Sequence, residues 1–363
     1  MRNIAKFFTF VLLFSLTSCA PKDGEIWVKV VNKPWAKESV GDYSKILGWY
    51  RIPNFSSKVH CDMNVGAITD VKLPSSLCKI GDAAFTNFYN LTNIEIPSSV
   101  TEIGSEVFYG CANLTSIEIP SSVTKIGCRA FSACPSLTSI VVDINNQRYD
   151  SRENCNAIIN TSTNVLEVGC RTTIIPPSVT EIGSSAFERC LDLTSIEIPS
   201  GVTLIGDRAF RLCEDLTSIE IPSSVTEIGS EVFYRCTNLT NIEIPSSVTE
   251  IGSGAFCGCS SLTSIEIPSG VTSIRDKAFE GCSSLTSINI PSGVTYFDYD
   301  AFQYCSSLES IYVNAIIPPE FTYFDISWKG GEPAATFYVP KESLDAYKNA
   351  EGWQKFAYRI LGY

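Results

Sequence analysis

Histidine is nearly missing from this 363-residue chain: His60 is the single copy. A serine or cysteine nucleophile needs a base and an orienting group beside it, and Val59-His60-Cys61 offers no such arrangement, so hydrolytic triad chemistry has no candidate. Charge is scarce too, at 18% of residues, and no run of Lys and Arg occurs anywhere. The formal net charge is -12, and removal of a leader carrying Arg2 and Lys6 leaves 25 basic against 39 acidic residues, or -14. Nucleic acid is therefore excluded as a partner, and the same sign opposes docking on an anionic lipid surface. The glycines recur at intervals and do not cluster, so no phosphate-cradling loop is present.

What remains is an ordered, apolar chain, 44% hydrophobic, with a distinct first segment. Met1 to Lys6 carries two basic residues, and the apolar run Phe7 to Leu16 that follows is too short to span a bilayer. The run ends in Leu16-Thr17-Ser18-Cys19, which resembles the lipobox of bacterial lipoproteins. That resemblance implies a signal peptide over residues 1–18 and acylation of Cys19, which becomes the mature N-terminus and holds the protein to the envelope through its lipid. Ala20 does not resemble the Asp that marks inner-membrane retention in some bacteria, and Lys22-Asp23-Gly24-Glu25 has the acidic flavour that some groups use for surface export. The implied location is the outer membrane and cell surface, with residues 19–25 as a short tether.

In rows of 23 the prolines align at Pro74, Pro97, Pro120, Pro176, Pro199, Pro222, Pro245, Pro268 and Pro291, and every gap is 23 except one of 56. That gap is two periods plus ten, so one repeat has taken an insertion, at about 142–171. In the unit beginning at Leu193, Ile196 and Ile198 alternate with Ser195 and Glu197, a short strand with its isoleucines inward. Pro199 stops the strand. Val202 and Ile205 re-enter the core, and Gly206 reads as a backbone conformation that a side chain resists. Ala209-Phe210 and Cys213 close the coil. No single unit can bury these side chains, but stacked units place like beside like about 4.8 Å apart.

The pattern resembles the leucine-rich repeats, and Ile-Gly-x-x-Ala-Phe-x-x-Cys resembles the BspA-like repeats of bacterial surface proteins, from about Leu73 to Val313. It implies an α/β-type repeat solenoid: a right-handed stack, one short parallel strand per 23-residue coil, with atypical caps at 26–72 and 314–363. The N-terminal cap holds Trp27, Trp35 and Trp49. In the C-terminal cap, Leu344, Tyr347, Trp353 and Phe356 can share one side of a short helix interrupted near Gly352. Gly gives way to Arg275 and Asp298 in two late coils, where irregularity is expected. The insertion reads as a two-stranded excursion from the stack.

Cys111, Cys134, Cys190, Cys213, Cys236, Cys259, Cys282 and Cys305 form one column. Parallel neighbours keep Cβ atoms about 5 Å apart, beyond the roughly 3.5–4.5 Å that a disulfide prefers, so the column reads as buried free thiols. With no histidine or second Cys pair beside Cys257 and Cys259, neither a metal site nor a cofactor is expected.

The outward strand positions carry Glu95, Glu118, Glu197, Glu220, Glu243 and Glu266, interrupted by Val141 and continued by Asn289 and Tyr312, with a Ser and Asn row alongside. Two charges 5 Å apart in water repel by about 0.8 kcal/mol, less than the roughly 1.5–3 kcal/mol from burying one isoleucine, so the fold tolerates the ladder without a ligand. As a functional surface, this face fits an extracellular protein or glycan partner bound by a monomer. The resemblance implies adhesion, and a structural or assembly component of the envelope is the alternative.

Overall fold

The computed structural model of the chain describes residues 17–18, 26–30, 48–52, 68–73, 75–298, 300–321 and 335–363. Cys19, Trp35 and His60 lie outside the described residues. The chain divides into two compact units, one built on residues up to 163 with 168–173, the other on 164–167 and 174 onward.

The first unit starts as an antiparallel sheet and becomes a parallel one. Strand Ile26–Val30 lies between Gly48–Ile52 and Ile68–Lys72, antiparallel to both. Ile68–Lys72 then pairs parallel with Asn93–Ile94, the first strand of the repeat register. Ser116–Ile119 and Ser139–Val142 pair in the same parallel mode, Glu118 facing Val141. A second ladder runs through Leu77–Ile80, Glu102–Ile103 and Lys125–Ile126, also parallel. Thr17–Ser18 pairs antiparallel with Leu77–Ile80.

The second unit repeats both ladders. On one side are Ser218–Glu220 with Asn241–Glu243, and then Ser287–Ile290, Ser310–Val313, Thr336–Val339 and Ile360–Gly362 in sequence. On the other, Glu181–Ile182, Leu204–Ile205, Glu227–Ile228 and Glu250–Ile251 form a ladder, and Ser273–Ile274, Tyr296–Phe297 and Glu320–Phe321 form another. Most coils thus carry two short parallel strands where the sequence pattern called for one, and among the described residues the α-helix lies in the C-terminal segment, with a 3₁₀ turn also at Arg152–Asn154. The alternation in Ile196-Glu197-Ile198 marks the first strand. The second, Val-Thr-x-Ile, is only two residues long in most coils and has no alternation to show.

The third side of each coil is a run of turns whose amides also bond between coils: Arg208 N to Ser230 O at 2.8 Å, Phe210 N to Val232 O at 3.0 Å, Leu212 N to Tyr234 O at 2.8 Å. Two residues per coil take left-handed backbone to make this possible, four apart, as in Arg208 (φ 59°) and Leu212 (φ 60°) or Glu231 and Arg235 (φ 55° each). The glycines expected to need unusual backbone do not supply it. Gly229 and Gly252 are small for a different reason: a Cβ on them would lie 2.7 Å from Asp207 N and 2.5 Å from Gly229 C, backbone of the preceding coil. Where that glycine becomes Arg275, the second ladder is interrupted between Glu250–Ile251 and Ser273–Ile274. Asp298 leaves its rung intact, its N bonding Ile274 O at 2.7 Å.

Left-handed backbone costs an L-residue roughly 1–2 kcal/mol, whereas glycine adopts it freely. Ala133 sits there at φ 59°. Ala133→Gly is therefore expected to hold or raise stability by up to about 1 kcal/mol, where the same change in ordinary extended backbone costs roughly 0.5–1 kcal/mol. Urea denaturation of the pair measures it, and a loss above 1 kcal/mol would contradict the account.

Along the axis of each unit the buried side chains stack on their own kind. Phe187, Phe210, Phe233, Phe256, Phe279 and Phe302 form a pile with centroids 5.2 to 5.8 Å apart and planes within 17° of parallel. Phe85, Phe108 and Phe131 form a shorter one in the first unit. Hydroxyls bind the coils from outside: Ser224 Oγ donates to Val202 O at 2.5 Å and Thr217 Oγ1 to Thr194 O at 3.2 Å, a bond that recurs through both threonine columns.

The insertion is part of the core and not an excursion from it. Ala157, Ile158 and Ile159 are fully buried, as is Leu166. Tyr149–Asp150 pairs antiparallel with Ile158–Asn160. In the first unit the Tyr149 hydroxyl accepts the Ile126 amide at 3.2 Å, and the Asn146 side chain donates to Pro120 O and Val123 O. In the second, Val165 and Leu166 pair parallel with Glu181 and Ile182 and act as its first rung. The apolar residues of the insertion fill the place of a missing strand, which is why they are buried.

At the C-terminus, helix Leu344–Asn349 and the 3₁₀ turn Gln354–Arg359 are separated by Gly352 at φ 80°. Tyr347, Trp353 and Phe356 are buried. Trp353 packs on Phe337 and Tyr347 at 5.2 and 4.8 Å, and its indole N–H reaches Pro319 O at 2.9 Å.

Candidate functional site

The isoleucines of the first ladder point inward, so the residues between them must point out, and they do: Glu95, Glu118, Glu197, Glu220, Glu243, Glu266, Asn289 and Tyr312 are all exposed. Within the first unit Glu118 stands beside Val141, an apolar gap in the acidic row. Within the second, Glu197 bridges to Glu220 and Glu220 faces Glu243, three carboxylates on adjacent rungs. Glu266 bridges to Asn289, and Asn289 faces Tyr312. Ser218 and Asn241 stand in register in the parallel hydroxyl and amide row.

The electrostatics of this face differ from those of the other two sides. Glu102 pairs with Lys79, and its carboxyl is held below the usual range by that hydrogen bond. Arg275 meets Glu250 at 2.8 Å, and Arg129 meets Glu106 at 3.1 Å. Arg211 reaches Glu188 at 3.1 Å and Glu231 at 2.9 Å, and lies 4.7 Å over the Tyr234 ring. Arg208 joins at 3.1 Å, and its hydrogen bond is the main cause holding the Glu231 carboxyl low. Among the described residues no ion pair engages any of the six glutamates of the strand row. Their carboxylates are exposed. The Arg208, Arg211, Glu188 and Glu231 cluster was not legible in the sequence, because those residues occupy two different repeat positions in three successive coils and neither position holds a fixed residue type.

The thiol column is built as a hydrogen-bonded filler. Cys213, Cys236, Cys259, Cys282 and Cys305 each direct Sγ to the carbonyl of the phenylalanine 26 residues earlier, at 3.0 to 3.2 Å. All eight cysteines of the column are buried and outside any disulfide. Burial pushes the Cys134 and Cys305 thiols up to about 12 and Cys236 well above its ordinary value. Such thiols are poor nucleophiles and poor ligands. Cys78, outside the column, is disulfide-bonded. No group of three or more His, Cys, Asp or Glu among the described residues could hold a metal ion.

A family model described as a BspA type leucine rich repeat region matches residues 59–174 and 180–309, in six copies. Among solved structures, the chain is similar to a leucine rich cell surface protein from Faecalibacterium prausnitzii A2-165, with 34% identity, a TM-score of 0.50, and coverage of 69% of this chain and 59% of that one. It shares its fold with the pneumococcal vaccine antigen PcpA at 19% identity and a TM-score of 0.53, over 79% of this chain and 64% of the antigen. The chain thus spans less than two thirds of either protein. No curated protein matches.

Proposed function

The chain belongs to the BspA-type leucine-rich-repeat family, and on that basis we propose that it is an exported, surface-facing binding protein that holds a macromolecular partner on the outward face of its strands. The partner is an extracellular protein or glycan, and binding serves adhesion. Lipid on Cys19 holds the monomer to the envelope at the outer membrane. The observation that carries the reading is the unneutralised row of Glu197, Glu220 and Glu243, where acids on the other sides of the coils, such as Glu188, Glu231 and Glu250, pair with arginine. Nothing in the core depends on those three side chains, so they are free to be selected for binding. The similar Faecalibacterium protein, described as a cell surface protein, supports the location.

Protease treatment of intact cells, coupled to a binding screen over extracellular-matrix proteins and glycans, tests the reading. The protein should be cleaved from intact cells and should retain at least one partner. Exposed charge pairs are each worth about 0.2–1 kcal/mol, so Glu197→Gln, Glu220→Gln and Glu243→Gln together should weaken a cationic partner by roughly tenfold and leave thermal unfolding unchanged. Full protection from protease with no partner bound would sink the proposal, and unchanged affinity in the triple variant would remove this face from it.

A further inference from the structure

The outward row of the second unit changes character along its length. From Glu266 the register passes to Asn289, then Tyr312, Tyr338 and Leu361. Five rungs therefore read carboxylate, amide, phenol, phenol, aliphatic. The Tyr312 and Tyr338 rings stack at 4.8 Å with 17° between planes, and the Tyr363 ring meets Tyr312 edge-on at 6.1 Å. An amide margin fixes the group in place: Asn314 Nδ2 donates to Asn289 Oδ1 at 2.9 Å, and the Tyr363 hydroxyl donates to Asn314 Oδ1. Although the rings hold one another, Tyr312 stays 37% exposed, Leu361 49% and Tyr363 56%. The core beneath is closed without them, since Ile311, Phe337 and Val339 are at most 1% exposed.

We propose that this cluster is the anchoring end of a polarised docking row, and that its occupant is a cationic protein segment. The segment seats an apolar or aromatic side chain against Tyr312, Tyr338 and Tyr363 and directs Lys or Arg toward Glu266. The inference rests on the proposed use of the strand face. Rigid, pre-ordered aromatics lose little entropy when a partner covers them and supply a large share of interface energy. Charge complementarity selects the partner: the glutamates of the row have no cation of their own, and a chain of net charge -12 repels an acidic or phosphorylated segment. A neutral sugar is disfavoured, because it offers no cation to the glutamate beside the cluster.

The test uses the full chain and three synthetic peptides in isothermal titration at two salt concentrations. The first combines a tryptophan with four spaced lysines, the second replaces the lysines by glutamate, and the third replaces the tryptophan by glycine. Cellohexaose is the fourth probe. The lysine and tryptophan peptide should bind most tightly, and more weakly at high salt. Tyr312→Ala with Tyr338→Ala should lower its affinity about tenfold or more, whereas Tyr312→Phe with Tyr338→Phe, which keeps the stack, should lower it less. Tyr363→Ala gives the same readout if the double alanine variant fails to fold.

Equal binding of the glutamate peptide, a preference for cellohexaose, unchanged affinity in the alanine variants, or no binding of the first peptide up to about 1 mM would each overturn the proposal. If the Glu→Gln triple variant loses a partner found on cells while the tyrosine variants keep it, the strand-face reading stands and the anchor falls. If neither set loses the partner, both fall.

Discussion

Raising the pH from about 8 to about 11 should unfold the second unit in one cooperative step, followed by the loss of its far-ultraviolet circular dichroism. Cys213, Cys236, Cys259, Cys282 and Cys305 are all held neutral by burial, with their thiols well above the ordinary value or, for Cys305, pushed up to about 12. In the unfolded chain they ionise near 8.5. Above that pH the folded state keeps protons that the unfolded state has released, so stability is complete below the unfolded value and is lost as pH climbs toward the folded one. One such thiol costs about 1.4 kcal/mol per pH unit in that window. Five together approach about 7 kcal/mol per unit, against a total stability of about 5–15 kcal/mol for a domain. Cys213→Ala, Cys236→Ala and Cys259→Ala combined should flatten the slope and move the transition upward. A chain folded at pH 11, or a triple variant with an unchanged midpoint, would show that the thiols do not govern it.

Phe233→Ala should lower the stability of the same unit by about 3–5 kcal/mol, and by more than removal of an end ring does. Phe233 is fully buried between Phe210 at 5.8 Å and Phe256 at 5.5 Å, nearly parallel to the first and 17° from the second. Its loss leaves a cavity and removes two ring contacts of about 0.5–1.5 kcal/mol each. Phe302 stacks on one ring of the pile, Phe279, and meets Phe297 at a tilt of 60°. Phe302→Ala should therefore cost about 1 kcal/mol less than Phe233→Ala. Guanidinium denaturation of the two variants gives the comparison, and equal losses would mean that neighbours along the stack do not share stability in this way.

The period was legible in the sequence because identical coils must present identical side chains at each rung, and nine aligned prolines record that requirement. The outward placement of the glutamates followed from the isoleucines on either side, since strand alternation leaves them no other direction. Other features left no comparable trace. The left-handed positions are filled by Arg208, Leu212, Glu231 and Arg235 as readily as by Gly254 and Gly281, because inter-coil hydrogen bonds at those turns hold the backbone whatever the side chain. The role of Gly206 and its counterpart Gly229 left no local trace for the converse reason. Crowding from a neighbouring coil is a relation across 22 or more residues, and a local turn rule does not see it. The buried insertion strands lacked a repeat partner to betray them, and Tyr363 entered the candidate site through a tail with no periodic register.

The inter-coil bonds have a consequence for how such a gene can change. Each thiol, threonine and serine that ties one coil to the last bonds a carbonyl at a fixed place in the preceding coil, and that carbonyl belongs to the main chain. Main-chain acceptors are present in every coil regardless of its sequence, so any coil can succeed any other. Duplication or deletion of a 69-base unit by unequal recombination would leave every such bond satisfied, and it would move only the distance between the acidic rungs and the tyrosine cluster. Under the proposed docking row, the spacing between its two ends is then a quantity that copy number tunes, without a new fold having to be found.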